Sequence, residues 1–131
     1  MLIYCLFVDV CVFMSCVLFT RLCRLWAERL AGTSIDVNSM HPGWSDTPGL
    51  AASMPGFKKK QGNELRTSAQ GADTVVWLAT TNDPAVKGTS GRFYFDRAPQ
   101  PTHMRWAGTR SSDGDRRWLW EECARLCGFE S

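Results

Sequence analysis

The chain opens on a run in which almost nothing is polar. From Met1 to Thr20 it reads MLIYCLFVDVCVFMSCVLFT, with Asp9 and Ser15 as the clearly polar side chains. Arg21 and Arg24 then begin a mixed pattern. Leu22, Leu25, Trp26, Arg29 and Leu30 follow helical spacing, and Gly32 offers the stop. Ile35 and Val37 alternate within 34–40 as in a strand, which runs into the break His41-Pro42-Gly43. Residues 48–63 are rich in Gly, Pro and Lys and read as a loop or short helix. Thr67-Ser68-Ala69-Gln70 fits a capping box, and the helix it opens is predicted to bury Ala72, Val75, Val76 and Ala79 before Asn82-Asp83-Pro84 ends it. Gly88 and Gly91 bracket a turn ahead of a short aromatic strand, Arg92–Asp96. Pro99 and Pro101 begin an irregular stretch, and Asp115 is the expected cap of a final helix ending at Gly128. Trp118 and Trp120 of that helix are expected to pack on the sheet.

Helix, strand, Pro-Gly loop, helix, strand is the alternation of an open parallel α/β sheet. Ligands of such sheets lie beyond the carboxyl ends of the strands, and the Pro42-Gly43 corner occupies that position. Two segments result: 1–20, apolar, and 21–131, the body of the domain.

The apolar run admits three readings. As a helix, twenty residues would cover about 30 Å, the thickness of a bilayer core. Asp9 would cost about 2.5–3.5 kcal/mol on insertion scales, which the surrounding Leu, Ile, Val and Phe can outweigh. Arginines 21 and 24 would then hold the body on the cytoplasmic side. The run equally fits a buried strand or helix of the domain, or a non-native start. Localisation follows the choice: cytoplasmic, or membrane-anchored with the body of the chain inside.

Composition adds little. The 131 residues suffice for one core, and fifteen basic against thirteen acidic residues give +2, so charge supplies no ground for a nucleic-acid partner and none is expected. The six cysteines, at 5, 11, 16, 23, 123 and 127, form no C-x-x-C pair and lie far from His41 and His103, so no metal site is predicted. Reduced, structural cysteines are the expectation. Lys58-Lys59-Lys60 read as a solvated face, and no Gly-x-Ser-x-Gly elbow places a serine for attack.

Three stretches in order carry a resemblance: Asn38-Ser39-Met40-His41-Pro42-Gly43-Trp44-Ser45-Asp46-Thr47, then Gln70-Gly71-Ala72-Asp73-Thr74 with Trp77-Leu78-Ala79, then Ser90-Gly91-Arg92-Phe93-Tyr94-Phe95-Asp96. They resemble the last third of the short-chain dehydrogenase/reductase family, over about residues 22–105. Their wording is most similar to that family's group named dehydrogenase/reductase family member twelve-like. The resemblance implies an incomplete Rossmann-type parallel sheet and NAD or NADP as cofactor. It places Pro42 and Gly43 in the turn that closes over the nicotinamide ring. Gly43 would let backbone approach the ring, and Pro42 would fix the turn. The backbone at Ser45 would hold the carboxamide, the Thr47 hydroxyl would reach the carboxamide or phosphates, and Asp46 with the loop to Gly62 would fold over substrate. The reading without a ligand is a strand-exit turn with Thr47 capping a helix. His41 is assigned a structural role.

The resemblance also implies parts that the chain does not supply. The first glycine is Gly32, so no Gly-rich turn cradles a pyrophosphate ahead of it. The general acid/base Tyr and the Lys four residues on should lie on the helix before the 35–39 strand. The tyrosines are Tyr4 and Tyr94, followed four residues later by Val8 and Ala98, and the first lysine is Lys58. The sequence therefore predicts a fragment of an NAD(P)-dependent short-chain oxidoreductase, inactive alone, either oligomeric or completed by a missing N-terminal half. The alternative is a membrane-anchored, non-catalytic interaction protein derived from that fold.

Overall fold

The structure is a computed structural model that describes residues 3–5, 12–103, 108 and 110–129. Its elements are β1 (Ile3–Cys5), α1 (Val12–Arg29), β2 (Val37–Met40), α2 (Pro48–Ser53), α3 (Pro55–Gln61), a 3₁₀ turn (Gly62–Glu64), α4 (Ser68–Thr80), β3 (Phe93–Phe95), β4 (Ala98–Gln100) and α5 (Asp113–Leu126). One sheet orders the strands β1-β2-β3-β4, with β1, β2 and β3 parallel and β4 antiparallel to β3. This is a mixed α/β domain whose parallel part is that of an incomplete Rossmann-type sheet.

The apolar run supplies a strand and the first half of a helix. α1 crosses residues 20 and 21 without a break, so its start lies well ahead of the helical spacing that begins at Leu22. Much of the twenty-residue span considered for 1–20 falls outside the described residues. Among the described residues no helix is long and apolar enough to cross a membrane. α1 ends where expected, with Thr33 Oγ1 donating to the Leu30 carbonyl at 2.7 Å and Gly32 in the left-handed region.

The core forms where α1 meets β2. Cys23, Ala27 and Val37 are buried together, with Phe19, Leu30 and Ile35 packed against them. Tyr94, in register with Met40, lies on the other face of the sheet and meets the Trp77 ring of α4 edge-on at 6.0 Å. Helices thus cover β2 and β3 from both sides, which is why β2 shows three consecutive buried residues, Val37, Asn38 and Ser39. Two of the three are polar, and each has its partner. Asn38 Nδ2 donates to Thr89 O at 2.8 Å and Oδ1 accepts from Arg92 N at 3.0 Å. Ser90 Oγ accepts from Val37 N at 2.9 Å, and Gly91 N donates to Val37 O at 2.7 Å. The side chain of Asn38 therefore aligns the loop that delivers β3 into register.

Several elements differ from the sequence expectations. Residues 48–63 hold two short helices and a 3₁₀ turn. α4 begins with the expected capping box, Thr67 with Gln70, but buries Gly71, Thr74 and Leu78 and leaves Val76 57% exposed. Gly71 lies against Ser45 and Pro42 and Thr74 accepts from Arg97 N, contacts that hydrophobicity alone, which favours the valine face, does not register. The stretch after Pro99 is not irregular at its start, because β4 pairs as an edge strand, where the N–H that proline lacks is not needed by the ladder. Ser112, not Asp115, caps α5; Asp115 is the third helical residue, and its carboxylate accepts from Ser112 N in a second capping box. Trp118 is 65% exposed, and Trp120 packs on α1 instead of on the sheet. The Trp26 ring meets it edge-on at 5.1 Å, the Arg29 guanidinium lies 3.5 Å over it, and Arg116 joins Glu28 at 3.0 Å. Among the described residues Cys123 and Cys127 are free thiols, and Cys23 is buried.

Replacing Asn38 by Ala strands the Thr89 carbonyl and the Arg92 N–H in a buried place, at a cost of about 2–4 kcal/mol. Urea unfolding of Asn38→Ala is expected to show this as a lower midpoint, whereas Asn82→Ala on the surface leaves the midpoint unmoved.

Candidate functional site

The carboxyl ends of β2 and β3 come together with the start of α4, and the Pro42-Gly43 turn lies between them. The turn is fixed at both ends. His41 N donates to Tyr94 O at 3.0 Å, continuing the ladder one residue past β2. Beyond the turn, a parallel bridge pairs Ser45 with Arg66: Arg66 N donates to Trp44 O at 2.9 Å, and Asp46 N donates to Arg66 O at 2.7 Å. Ser68 Oγ adds a bond to Asp46 O at 3.0 Å. The segment after the turn is thereby stitched to the three residues that open α4.

Between these anchors Gly43 takes φ +72°, a backbone conformation that L side chains rarely adopt. A Cβ at this position would also stand 2.7 Å from Arg66 Nε and 2.9 Å from Arg66 Cδ. Arg66 cannot easily give way. Its guanidinium makes a bidentate pair with Asp96 and lies 4.8 Å from the Phe95 ring centre. The pair holds the Asp96 carboxyl below its ordinary range, chiefly through the hydrogen bond from Arg66. A second bidentate pair, Arg97 with Asp73 of α4, lies alongside, and Arg66, Gln70, Asp73, Asp96 and Arg97 line an open cavity of about 580 Å³. Both arginines in it are matched by aspartates, so the cavity has no spare cation.

The four residues predicted to touch a cofactor share this corner but differ in what they have free. Gly43 N donates to His41 Nδ1 at 2.9 Å. Ser45 is packed from below by Gly71, where any Cβ would overlap the Ser45 hydroxyl, so the glycine lets α4 approach the turn. A residue at the centre of a parallel bridge turns its own N–H and C=O away from the bridging strand. Ser45 thus presents both groups to the far side, with no protein partner for either among the described residues. Thr47 differs. Its hydroxyl accepts from Leu50 N at 3.1 Å as the cap of α2. Asp46 pairs with Lys58 at 2.6 Å, and the Trp44 and Phe57 rings meet at a tilt with centres 4.5 Å apart, so α3 folds back on the turn. The lysine run is thus partly engaged: Lys58 holds Asp46 while its neighbours lie on an exposed helical turn.

Sequence reasoning missed Arg66. No motif marks it; it is one arginine just ahead of a capping box, and only the fold brings it under residue 43. No group of three or more metal-ligating side chains occurs among the described residues.

No family model and no solved structure matches the chain. Among curated proteins, it is 45% identical over 101 residues to the human protein named dehydrogenase/reductase SDR family member 12, covering 77% of this chain and 31% of that one. The Bos taurus protein of the same name is 49% identical over 96 residues, 73% of this chain and 29% of its own length. Human retinol dehydrogenase 14 is 37% identical over 86 residues, 61% of this chain and 24% of that one. The chain spans less than a third of the length of these relatives.

Two substitutions separate the roles in the corner. Gly43→Ala combines a left-handed residue with a clash against a tethered arginine, and is expected to cost about 1–3 kcal/mol. Thr47→Ala removes a helix cap and is expected to cost about 1 kcal/mol. Thermal unfolding of the two variants is expected to rank them in that order.

Proposed function

Because the chain belongs to the short-chain dehydrogenase/reductase family and carries a C-terminal part of it, we propose that residues 42–47 are the nicotinamide-facing portion of an NAD(P) site. The observation that supports this most is Ser45. Its backbone N–H and C=O face outward with no protein partner among the described residues, and a primary carboxamide needs one acceptor and one donor side by side. Pro42 and Gly43 form a rigid wall of backbone beside those groups, with no side chain at Gly43 to hold a flat ring away. When bound, a nicotinamide supplies hydride transfer. The protein's part at this corner is to orient the carboxamide and keep the ring against the turn.

Thr47 enters this reading differently from Ser45. With its hydroxyl committed to Leu50 N, it positions α2 and, through it, the segment that lies over the turn. The cap uses Thr47 as an acceptor, so its O–H can still donate to a cofactor oxygen. Trp44 and Phe57 would then border the substrate side, since they join the turn to α3.

Orientation is not affinity. The resemblance implies a Tyr–Lys pair on the helix before β2, and neither residue type occurs from Val12 to Arg29. With no glycine before Gly32, the chain also lacks a Gly-rich pyrophosphate cradle of its own. We therefore read the 131 residues as a fragment of an NAD(P)-dependent oxidoreductase that binds the nicotinamide end weakly and turns over no substrate alone.

The test uses the ¹⁵N-labelled chain. NADH or NADPH is expected to shift the amides of Gly43 to Thr47 while leaving those of α5 in place. A panel of aldehydes and ketones is expected to give no oxidation of NADH. Either turnover of a carbonyl substrate, or cofactor-induced shifts that avoid residues 42–47 altogether, would overturn the reading.

A further inference from the structure

The sequence gives His41 only a structural place, yet its ring closes the turn on itself. Gly43 N donates to His41 Nδ1 at 2.9 Å. That bond needs a lone pair on Nδ1, so the imidazole is neutral with its proton on Nε2. The ring is half-buried, tilted against Phe95 of β3 with centres 6.0 Å apart. We infer that His41 is the positioning residue of the Pro42-Gly43 turn: as a neutral acceptor it holds the Gly43 N–H and keeps residue 43 in its left-handed conformation, and protonation of the ring releases the turn. The inference deepens the cofactor reading and rests on it for what the held turn presents.

Three features of the surroundings bear on this. Protonation would place a hydrogen on Nδ1, opposite the Gly43 N–H that now points at it. It would also put a second cation beside Arg66, which faces the ring from the segment ahead of α4. Burial first, and Arg66 second, push the imidazole pKa below its ordinary 6.5. The other charged group at this place is Asp96, from the turn after β3. It is bound to Arg66, and its carboxyl is held below the ordinary range, so it remains an anion throughout the window in which histidine titrates. Phe95 brings only its ring, and Asp73 and Arg97 satisfy each other. The sign follows from the depressed pKa. The folded turn prefers the neutral ring, so its contribution is fully present above the unfolded value of about 6.5 and is lost as pH falls through the lower folded one.

The experiment follows the Gly43 amide and the His41 ring by NMR in the labelled 131-residue chain as pH is lowered from neutral. The Gly43 resonance is expected to move with the ring of His41, at a midpoint below that of an exposed histidine. His41→Asn supplies an acceptor that does not titrate, and is expected to keep Gly43 near its neutral-pH position at every pH. His41→Phe keeps the ring packing and removes the acceptor, and is expected to speed Gly43 amide exchange about tenfold at all pH values. A Gly43 resonance that stays still while His41 titrates overturns the inference, as does a His41→Asn chain that retains the wild-type pH response. NADH added at high and low pH reads the cofactor separately. Shifts at 42–47 that weaken with His41 protonation support both proposals. A Gly43 amide that titrates as described in a chain with no response to NADH supports the turn mechanism and removes the cofactor reading.

Discussion

The side chain of Arg66 takes the space that any residue other than glycine would claim at position 43, and the carboxyl end of the sheet is assembled around that exchange. Its backbone bridges Trp44 and Asp46, its guanidinium grips Asp96 and lies against Phe95, and one residue on the chain enters the capping box of α4. Three separate pieces of sequence, 41–47, 65–70 and 93–97, are thereby held in one corner. The energetic worth of an exposed ion pair is modest. Its effect here is geometric. A bidentate pair fixes the plane of the guanidinium, and the fixed plane leaves no room for a side chain at residue 43.

Much of the fold follows from local chemistry, and the parts that do not have a common cause. The strand at 37–40, the capping box at 67–70, the aromatic strand at 93–95 and the stop near Gly32 rest on interactions within a few residues, and periodicity or capping reveals them. The buried face of α4 was misjudged because Gly71 and Thr74 are chosen by closeness of approach to the turn and sheet, which a hydrophobicity pattern does not measure. Trp120 was assigned to the sheet for a similar reason. Its partners, Trp26 and Arg29, lie some ninety residues earlier, and nothing near residue 120 points to them. Separation along the chain, though shorter, also hid Arg66, whose partner Asp96 lies 30 residues on. Pro42, Gly43, Ser45 and Thr47 could be found because they are contiguous, but their division of labour could not. Only the direction of the bridge to residue 66 shows that Ser45 keeps its backbone free, and only the cap on α2 shows that Thr47 does not.

The relatives give this corner its meaning and also its limit. The chain covers less than a third of their length, so the match speaks to one part of them. What it retains is the most self-contained part of the proposed cofactor site, a turn whose shape is set by its own neighbours. That self-sufficiency has a physical basis: every bond that shapes the turn begins and ends between residues 41 and 96.

The turn joining β3 to β4 carries a different consequence. Asp96 and Arg97 both sit at positive φ, 49° and 60°, where a two-residue hairpin ordinarily employs Asn and Gly. Each is tethered by an ion pair, to Arg66 and to Asp73, so charge takes over what glycine would otherwise supply. Charge, unlike the freedom of glycine, is screened by salt. Rising ionic strength therefore loosens the hairpin and with it β4, the proline-bearing strand that shields the outer side of Phe93-Tyr94-Phe95. An aromatic strand stripped of its cover is a template for pairing with another chain. The two surface ion pairs, small in folding energy, thus hold in place the strand that pairs with the outer side of β3.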